Sequence, residues 1–140
     1  MKTAGGKVTG GRAYYGEAIG IALFDGRRYP MVPGDVGNAS TYDFPVRLKV
    51  VKGLLSCPAP PAEWAGSNRP REVDLLCQAV REFREDGVRA IVAYCGFFAA
   101  VQDILAEAAG GIPVFTSPLI LLPVLDRMFG AGRKIGVLTA

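Results

Sequence analysis

Residues 87–102 read Gly87-Val88-Arg89-Ala90-Ile91-Val92-Ala93-Tyr94-Cys95-Gly96-Phe97-Phe98-Ala99-Ala100-Val101-Gln102, and the rest of the chain is organised around that run. Residues 88–94 are short, rich in Ile, Val and Ala, and bounded by Gly87 and Gly96, the pattern of a strand buried on both faces. Beyond it Phe97, Val101, Ile104, Leu105 and Ala108 recur at helical spacing, so a helix is predicted over 97–109, closed by Gly110-Gly111. Cys95 therefore falls where a strand hands over to a helix. Parallel α/β folds place ligands just outside the carboxyl ends of their strands, and the N–H groups that open a helix favour a thiolate. The competing reading of Cys95 is a small apolar residue packed at a strand end.

Working outward, residues 18–24 (Ala-Ile-Gly-Ile-Ala-Leu-Phe) are predicted as the first strand, ended by Asp25-Gly26. A long loop follows, with Pro30, Pro33 and the run Gly34-Asp35-Val36-Gly37-Asn38-Ala39-Ser40-Thr41, and a loop of that length in a small domain is usually functional. Asp35 and Asn38 either bond their own turn, the reading composition favours, or belong to a site. Residues 46–51 predict a second strand with one more exposed side. Residues 55–70 are Pro-rich and irregular. Pro70 suits the first turn of a helix whose apolar face is Val73, Leu76, Cys77, Val80 and Phe83 and which ends near Asp86-Gly87. After the central strand and its helix, residues 113–115 form a third strand that delivers Thr116-Ser117-Pro118 to the same edge as Cys95. Residues 119–129 predict a helix and 134–138 a further strand, ending at Thr139-Ala140. Strands and helices alternate, so the fold class is α/β, a parallel sheet with right-handed crossovers.

Composition narrows the function. The 140 residues are one domain's worth of chain, half of them hydrophobic, enough for a real core. The net charge of +3 comes from 16 basic and 13 acidic residues that are scattered rather than clustered, so a nucleic-acid partner is not expected. Cys57, Cys77 and Cys95 lack CxxC spacing and the chain has no histidine, so no metal site is expected, and any acid/base chemistry rests on Cys, Asp, Glu, Lys or Tyr. Residues 1–12 are Gly-rich and polar, unlike a secretory signal, so residues 1–17 are expected to be a flexible segment and the compartment the cytoplasm. Residues 112–124 are strongly apolar but broken by Pro113, Pro118 and Pro123 and too short to cross a bilayer, so they read as core and no membrane partner is expected.

Taken together, Tyr-Cys-Gly-Phe after one strand, Pro-Val-Phe-Thr-Ser-Pro after the next, Arg-Lys-Ile-Gly-Val-Leu-Thr-Ala at the end and Pro-Gly-Asp-Val-Gly-Asn-Ala-Ser-Thr-Tyr-Asp-Phe-Pro-Val near the start resemble the aspartate/glutamate racemase superfamily over residues 18–140. That resemblance implies a cofactor-independent enzyme built from two similar α/β halves related by a pseudo-two-fold, three layers in each. Residues 18–132 would be the first half and 133–140 the start of the second. One cysteine thiolate would take the alpha proton of an amino acid or related carboxylate while an opposing thiol returns one to the other face. Cys95 would be the catalytic cysteine of this half. The N–H groups of Gly96 and Phe97 and the hydroxyls of Thr116 and Ser117 would hold the carboxylate. Asp25 or Asp35 would assist, and Asn38 would orient the loop or touch the ligand. The second cysteine would lie beyond Ala140 or come from a second copy, which makes a homo-oligomer expected. Related chemistries are arylmalonate decarboxylation, maleate isomerisation and hydantoin racemisation, and a non-catalytic carboxylate-binding or assembly module is the alternative of a different class.

Overall fold

The computed structural model describes residues 16–26, 29–58, 69–130 and 132–138. The expectation for residues 1–17 falls almost wholly outside them, as do most of the Pro-rich stretch before Pro70 and the closing Thr139-Ala140. Four parallel strands, β1 (Ile19–Leu23), β2 (Val46–Val50), β3 (Ala90–Ala93) and β4 (Val114–Phe115), form one sheet in the order β2-β1-β3-β4. Three helices accompany them, α1 (Arg71–Asp86), α2 (Gln102–Ala109) and α3 (Leu122–Phe129). The expected α/β class with a parallel sheet is what the chain adopts.

The two faces of the sheet follow from strand alternation. Ala22 and Phe24 pack into the core that α1 supplies through Val73, Leu76, Cys77, Val80 and Phe83, and in the paired register Ile91 lies opposite Gly20 and Ala93 opposite Ala22, on the same side. Gly20 is the closest approach. A Cβ there would stand 2.5 Å from the Phe83 ring, so only glycine lets α1 settle onto β1. Cys77 lies in this core, as the helical spacing of its neighbours predicts. On the opposite face Leu23 meets the 31–42 loop, its side chain close to Gly37 and Met31.

β2 turns its charged residues toward α1. Lys49 pairs with Glu82 at 2.8 Å and stands 5.0 Å from the centre of the Phe83 ring, and Arg47 pairs with Glu17 at 2.6 Å and Asp86 at 3.1 Å. The more exposed side of this edge strand is its apolar one, with Leu48 and Val50 partly open to solvent. α1 starts at Pro70, carries Glu72 and Asp74 in its first turn where the unpaired N–H groups are, and stops at Gly87, whose φ of 80° lets its N–H reach back to Phe83 and Arg84.

Four expectations fail. Residues 112–124 are not core throughout: only Thr116 and Ser117 are buried, while Phe115, Leu121 and Val124 are exposed. Residues 119–129 are not one helix, since a 3-10 turn over Pro118–Leu121, opened by Pro118, precedes α3. Residues 97–109 are not one helix: a 3-10 turn over Gly96–Val101 comes first and α2 begins only at Gln102. Glycine and two consecutive aromatics open an α-helix poorly, and the tighter turn seats Phe98, fully buried, against Phe24 with ring centres 5.4 Å apart. Residues 134–138 are not a strand. α3 contains no buried residue and packs mainly on the turn before it, so it does not fold back over the sheet as a crossover must, and the residues that follow are left exposed rather than beside β4. No helix among the described residues is long and apolar enough to cross a membrane.

Candidate active site

Because all four strands run the same way, the segments that leave them gather at one edge. Cys95 caps the 3-10 turn after β3 in extended conformation (φ −122°, ψ 128°), and its carbonyl accepts from Phe98 N–H at 3.0 Å. The side chain is half-buried and reachable from solvent. Gly96 and Phe97, next along the turn, are exposed, Phe97 at 71%. Tyr94 stands edge-on to Phe24 with centres 5.6 Å apart. Burial pushes the Tyr94 phenol above its usual range, a hydrogen bond with the Phe24 backbone opposes that, and the negative charge of Asp35 adds to the rise. The phenol is therefore protonated at neutral pH and available as a donor.

A second thiol stands beside Cys95. Cys57 Sγ lies 3.0 Å from Cys95 Sγ, and either sulfur can donate. The turn after β2 brings it there. Val51 N–H donates to Leu23 C=O at 2.9 Å, Asp25 N–H to Leu54 C=O at 2.9 Å and Leu54 N–H to Val51 C=O at 3.0 Å. Val51 and Leu54 are buried, and Gly53 takes a φ of 82°. These bonds fold the chain over the end of β1, which lies between β2 and β3, and so toward Cys95.

The expected carboxylate holders are near but occupied. Thr116 and Ser117 are fully buried. Thr116 donates from its hydroxyl at 2.7 Å and its N–H at 3.1 Å to Gln102 Oε1, while Gln102 Nε2 donates to Val114 C=O at 2.9 Å. Ser117 Oγ accepts from Leu119 N–H at 3.1 Å and caps the turn Pro118–Leu121. That turn packs against the one Cys95 begins, with Leu119 4.0 Å from where a Cβ on Gly96 would be.

The loop acidic and amide residues bond mostly within their own loop. Asp35 Oδ1 accepts from Gly37 N–H at 2.8 Å. Asn38 Oδ1 accepts from Ser40 N–H at 2.8 Å, and its amide donates to Met31 C=O at 2.6 Å. Asp25 is held elsewhere: Gly53 N–H, the larger influence, and Lys52 draw its carboxyl below the ordinary range, so it fastens the turn that carries Cys57.

Sequence reasoning missed Cys57 and Gln102. Cys57 was legible in principle, since it follows a parallel strand and hence leaves the sheet at the edge of Cys95. Nothing in the local pattern marks Gln102.

The fold and this edge define a parallel α/β unit with paired thiols at the carboxyl ends of its strands. In sequence it is similar to the dimethylsulfoniopropionate lyase of Durusdinium sp. clade D, 32% identical over 127 residues, a match covering 88% of this chain and 39% of that protein. It is also similar to dimethylsulfoniopropionate lyases 7 and 3 of Emiliania huxleyi strain CCMP1516, 31% and 32% identical over 88% of the chain and over 34% and 30% of their lengths. The chain thus spans well under half the length of these curated relatives. No family model matches it, and no solved structure matches it significantly.

These relatives overturn the racemase resemblance. They are lyases, so the aspartate/glutamate racemase assignment, the isomerase class, the inversion of an amino-acid alpha carbon and the reading of Cys95 as the catalytic cysteine of an inverting pair do not stand. The relatives support an enzyme, but of a different class, and the non-catalytic alternative gains nothing from them. The short motifs misled because a thiol after a strand and hydroxyls after the next describe an edge of a parallel sheet, and such an edge serves more than one reaction.

Proposed function

We propose that this chain carries, or contributes one part of, the lyase activity its relatives are named for: cleavage of dimethylsulfoniopropionate to dimethyl sulfide and acrylate. The observation that carries the proposal is the similarity over 88% of the chain, which includes the Cys95 edge. The substrate has a carboxylate at one end and a sulfonium at the other. A base takes a proton from the carbon next to the carboxylate, the electron pair becomes the double bond of acrylate, and dimethyl sulfide leaves with the electrons of its bond to carbon. With no histidine in the chain, the group at this open edge suited to take that proton is the Cys95 thiolate. The exposure of Gly96 and Phe97, next along the turn, supports a carboxylate held by their N–H groups, and the faces of Phe97 and Tyr94 suit the sulfonium cation. Thr116 and Ser117, being bonded internally, shape the turn beside the ligand, and Asp35 acts through its charge on Tyr94. The reaction as written needs no cofactor, and the cytoplasm remains the proposed compartment.

The same reading extends to architecture. Phe97 is exposed at the site, Leu121, Val124, Met128 and Phe129 are exposed on the turn and helix that follow β4, and the relatives are much longer. Both facts support a second α/β unit, in the same polypeptide or a second copy, lying over this edge as the other half of a pseudo-two-fold pair.

The test is dimethyl sulfide release and acrylate formation from dimethylsulfoniopropionate by the full-length protein. Cys95→Ser should lower kcat/KM by about 10²–10⁴, the usual loss on removing a proton-transfer group, with the fold intact by circular dichroism. Wild-type activity that survives the substitution would remove Cys95 from the chemistry. No release by the wild type would overturn the lyase reading.

A further inference from the structure

The lyase mechanism leaves the two long helices unused, and between them three arginines meet. A groove of about 360 Å³ separates α1 from α2 and is lined by Arg69, Arg81 and Arg84, by Glu107, Ile104 and Ala108 of α2, and by buried Cys77. We propose that this groove binds a hydroxyl-bearing phosphate monoester, such as a sugar phosphate, with the phosphate on the arginines and a hydroxyl on Glu107.

The basic wall is built by α1. Asp74, Cys77, Arg81 and Arg84 recur at three- and four-residue spacing, so they share one face of the helix, beside the apolar stripe of Val73, Leu76, Val80 and Phe83. Among the described residues neither Arg81 nor Arg84 has an ion-pair partner, whereas Arg47, Lys49, Lys52 and Arg69 each have one. Arg84 is seated all the same. Its Nη1 stands 2.5 Å from where a Cβ on Gly110 would be, so the glycine that ends α2 at φ 60° leaves room for the guanidinium, and the carbonyls of that helix end attract it. Arg69 is already engaged: Nε donates to Asp74 Oδ1 at 2.9 Å, and Nη2 donates to the same oxygen. The charges converge on one sulfur. Burial pushes the Cys77 thiol up, Arg69 and Arg81 draw it down, and Asp74 and Glu107 add to the rise.

The ligand class follows from these groups. Guanidinium forks match phosphate oxygens two at a time, which ammonium groups do not, and all three lining cations are arginines. With Asp74 set against Arg69, the unpaired positive charge lies at Arg81 and Arg84, which suits one phosphate group rather than a polyanion. Glu107 repels a bare anion, so a ligand that fits brings a hydroxyl to donate to that carboxylate. Ile104 and Ala108 leave an apolar strip for the carbon skeleton, and the volume is that of a small-ligand pocket.

The groove shares no residue with the Cys95 edge, so its test does not depend on the lyase reading. Ribose 5-phosphate is titrated calorimetrically into the full-length protein at low ionic strength, beside inorganic phosphate and ribose. It should bind about tenfold tighter than inorganic phosphate, the increment of one hydrogen bond to a charged group, and ribose should give no heat of binding. Arg81→Gln with Arg84→Gln should weaken it about 10- to 100-fold with the circular dichroism spectrum unchanged, both side chains being exposed. Arg81→Lys with Arg84→Lys keeps the charge and loses the forks, and should still weaken it about tenfold. Glu107→Ala should cancel the preference for ribose 5-phosphate over inorganic phosphate. Full affinity in the lysine pair would reduce the groove to a patch of surface charge, and equal binding of the two phosphates by the wild type would remove Glu107 from the site. Either result, or no binding of either phosphate, overturns the proposal.

Discussion

At Asp25 one carboxylate helps fasten the turn that leads to a thiol 32 residues further on, and its charge state should be visible in stability. Gly53 N–H and Lys52 favour the ionised form, so the folded pKa lies below the ordinary value of 3.8. A depressed acid stabilises the fold fully above that ordinary value and loses the contribution as pH falls through the folded pKa. Asp25→Asn should therefore melt lower than wild type near neutral pH, and the two melting curves should converge as the solution is acidified below the ordinary value. Parallel curves at every pH would show that the charge contributes nothing and that only the shape of the side chain matters. Cys95 could be placed at a strand end by reading the sequence, because a run of β-branched residues between glycines fixes its position. Its neighbour could be placed only as far as the same edge, because the bonds that bring Cys57 up to it join Leu23, Asp25, Val51, Gly53 and Leu54 across the turn, and no local residue pattern marks them.

At the level of elements, the seat of α1 on β1 turns on Gly20 and Phe83. Phe83 is fully buried, and replacing it by alanine should cost about 3–5 kcal/mol. Gly20→Ala places a methyl group into that ring and should cost about 1–3 kcal/mol in urea unfolding. In a Phe83→Leu background the same change should cost markedly less, since the colliding ring is gone; equal costs in both backgrounds would show that Gly20 is required for its backbone alone. The long elements were legible for physical reasons: α1 has an apolar stripe and a glycine stop, and β1 and β3 are apolar runs between breakers. The shorter ones blurred where local preference and packing disagree. Phe97 to Ala109 carries helical spacing throughout, yet Gly96 and the aromatic pair are poor helix openers, and burying Phe98 against Phe24 selects the tighter turn first. Residues 134–138 have strand composition, but a strand needs a partner edge, and α3 does not carry the chain back to β4.

At the scale of the whole molecule the fold is finished on one side and open on another. Below the sheet α1 and α2 seal a continuous core, while after β4 the turn Pro118–Leu121 and α3 show Leu121, Val124 and Met128 to solvent at 41%, 53% and 70%, with Phe97 at 71% close to the site. Leu122 and Leu125 take the inner positions of α3, so the outward residues recur at helical spacing as a second apolar stripe, which a helix keeps only when something covers it. With a net charge of only +3 across 140 residues, electrostatic repulsion opposes association weakly. The 140-residue chain should therefore sediment as a concentration-dependent mixture of monomer and larger species. Val124→Lys with Met128→Lys should shift it toward monomer while leaving the unfolding midpoint within about 0.5 kcal/mol of wild type, because neither side chain is packed in the core. A wild-type chain that sediments as a single monomer at high concentration would show that the stripe is tolerated uncovered, and the second α/β unit proposed over this edge would lose its main physical support.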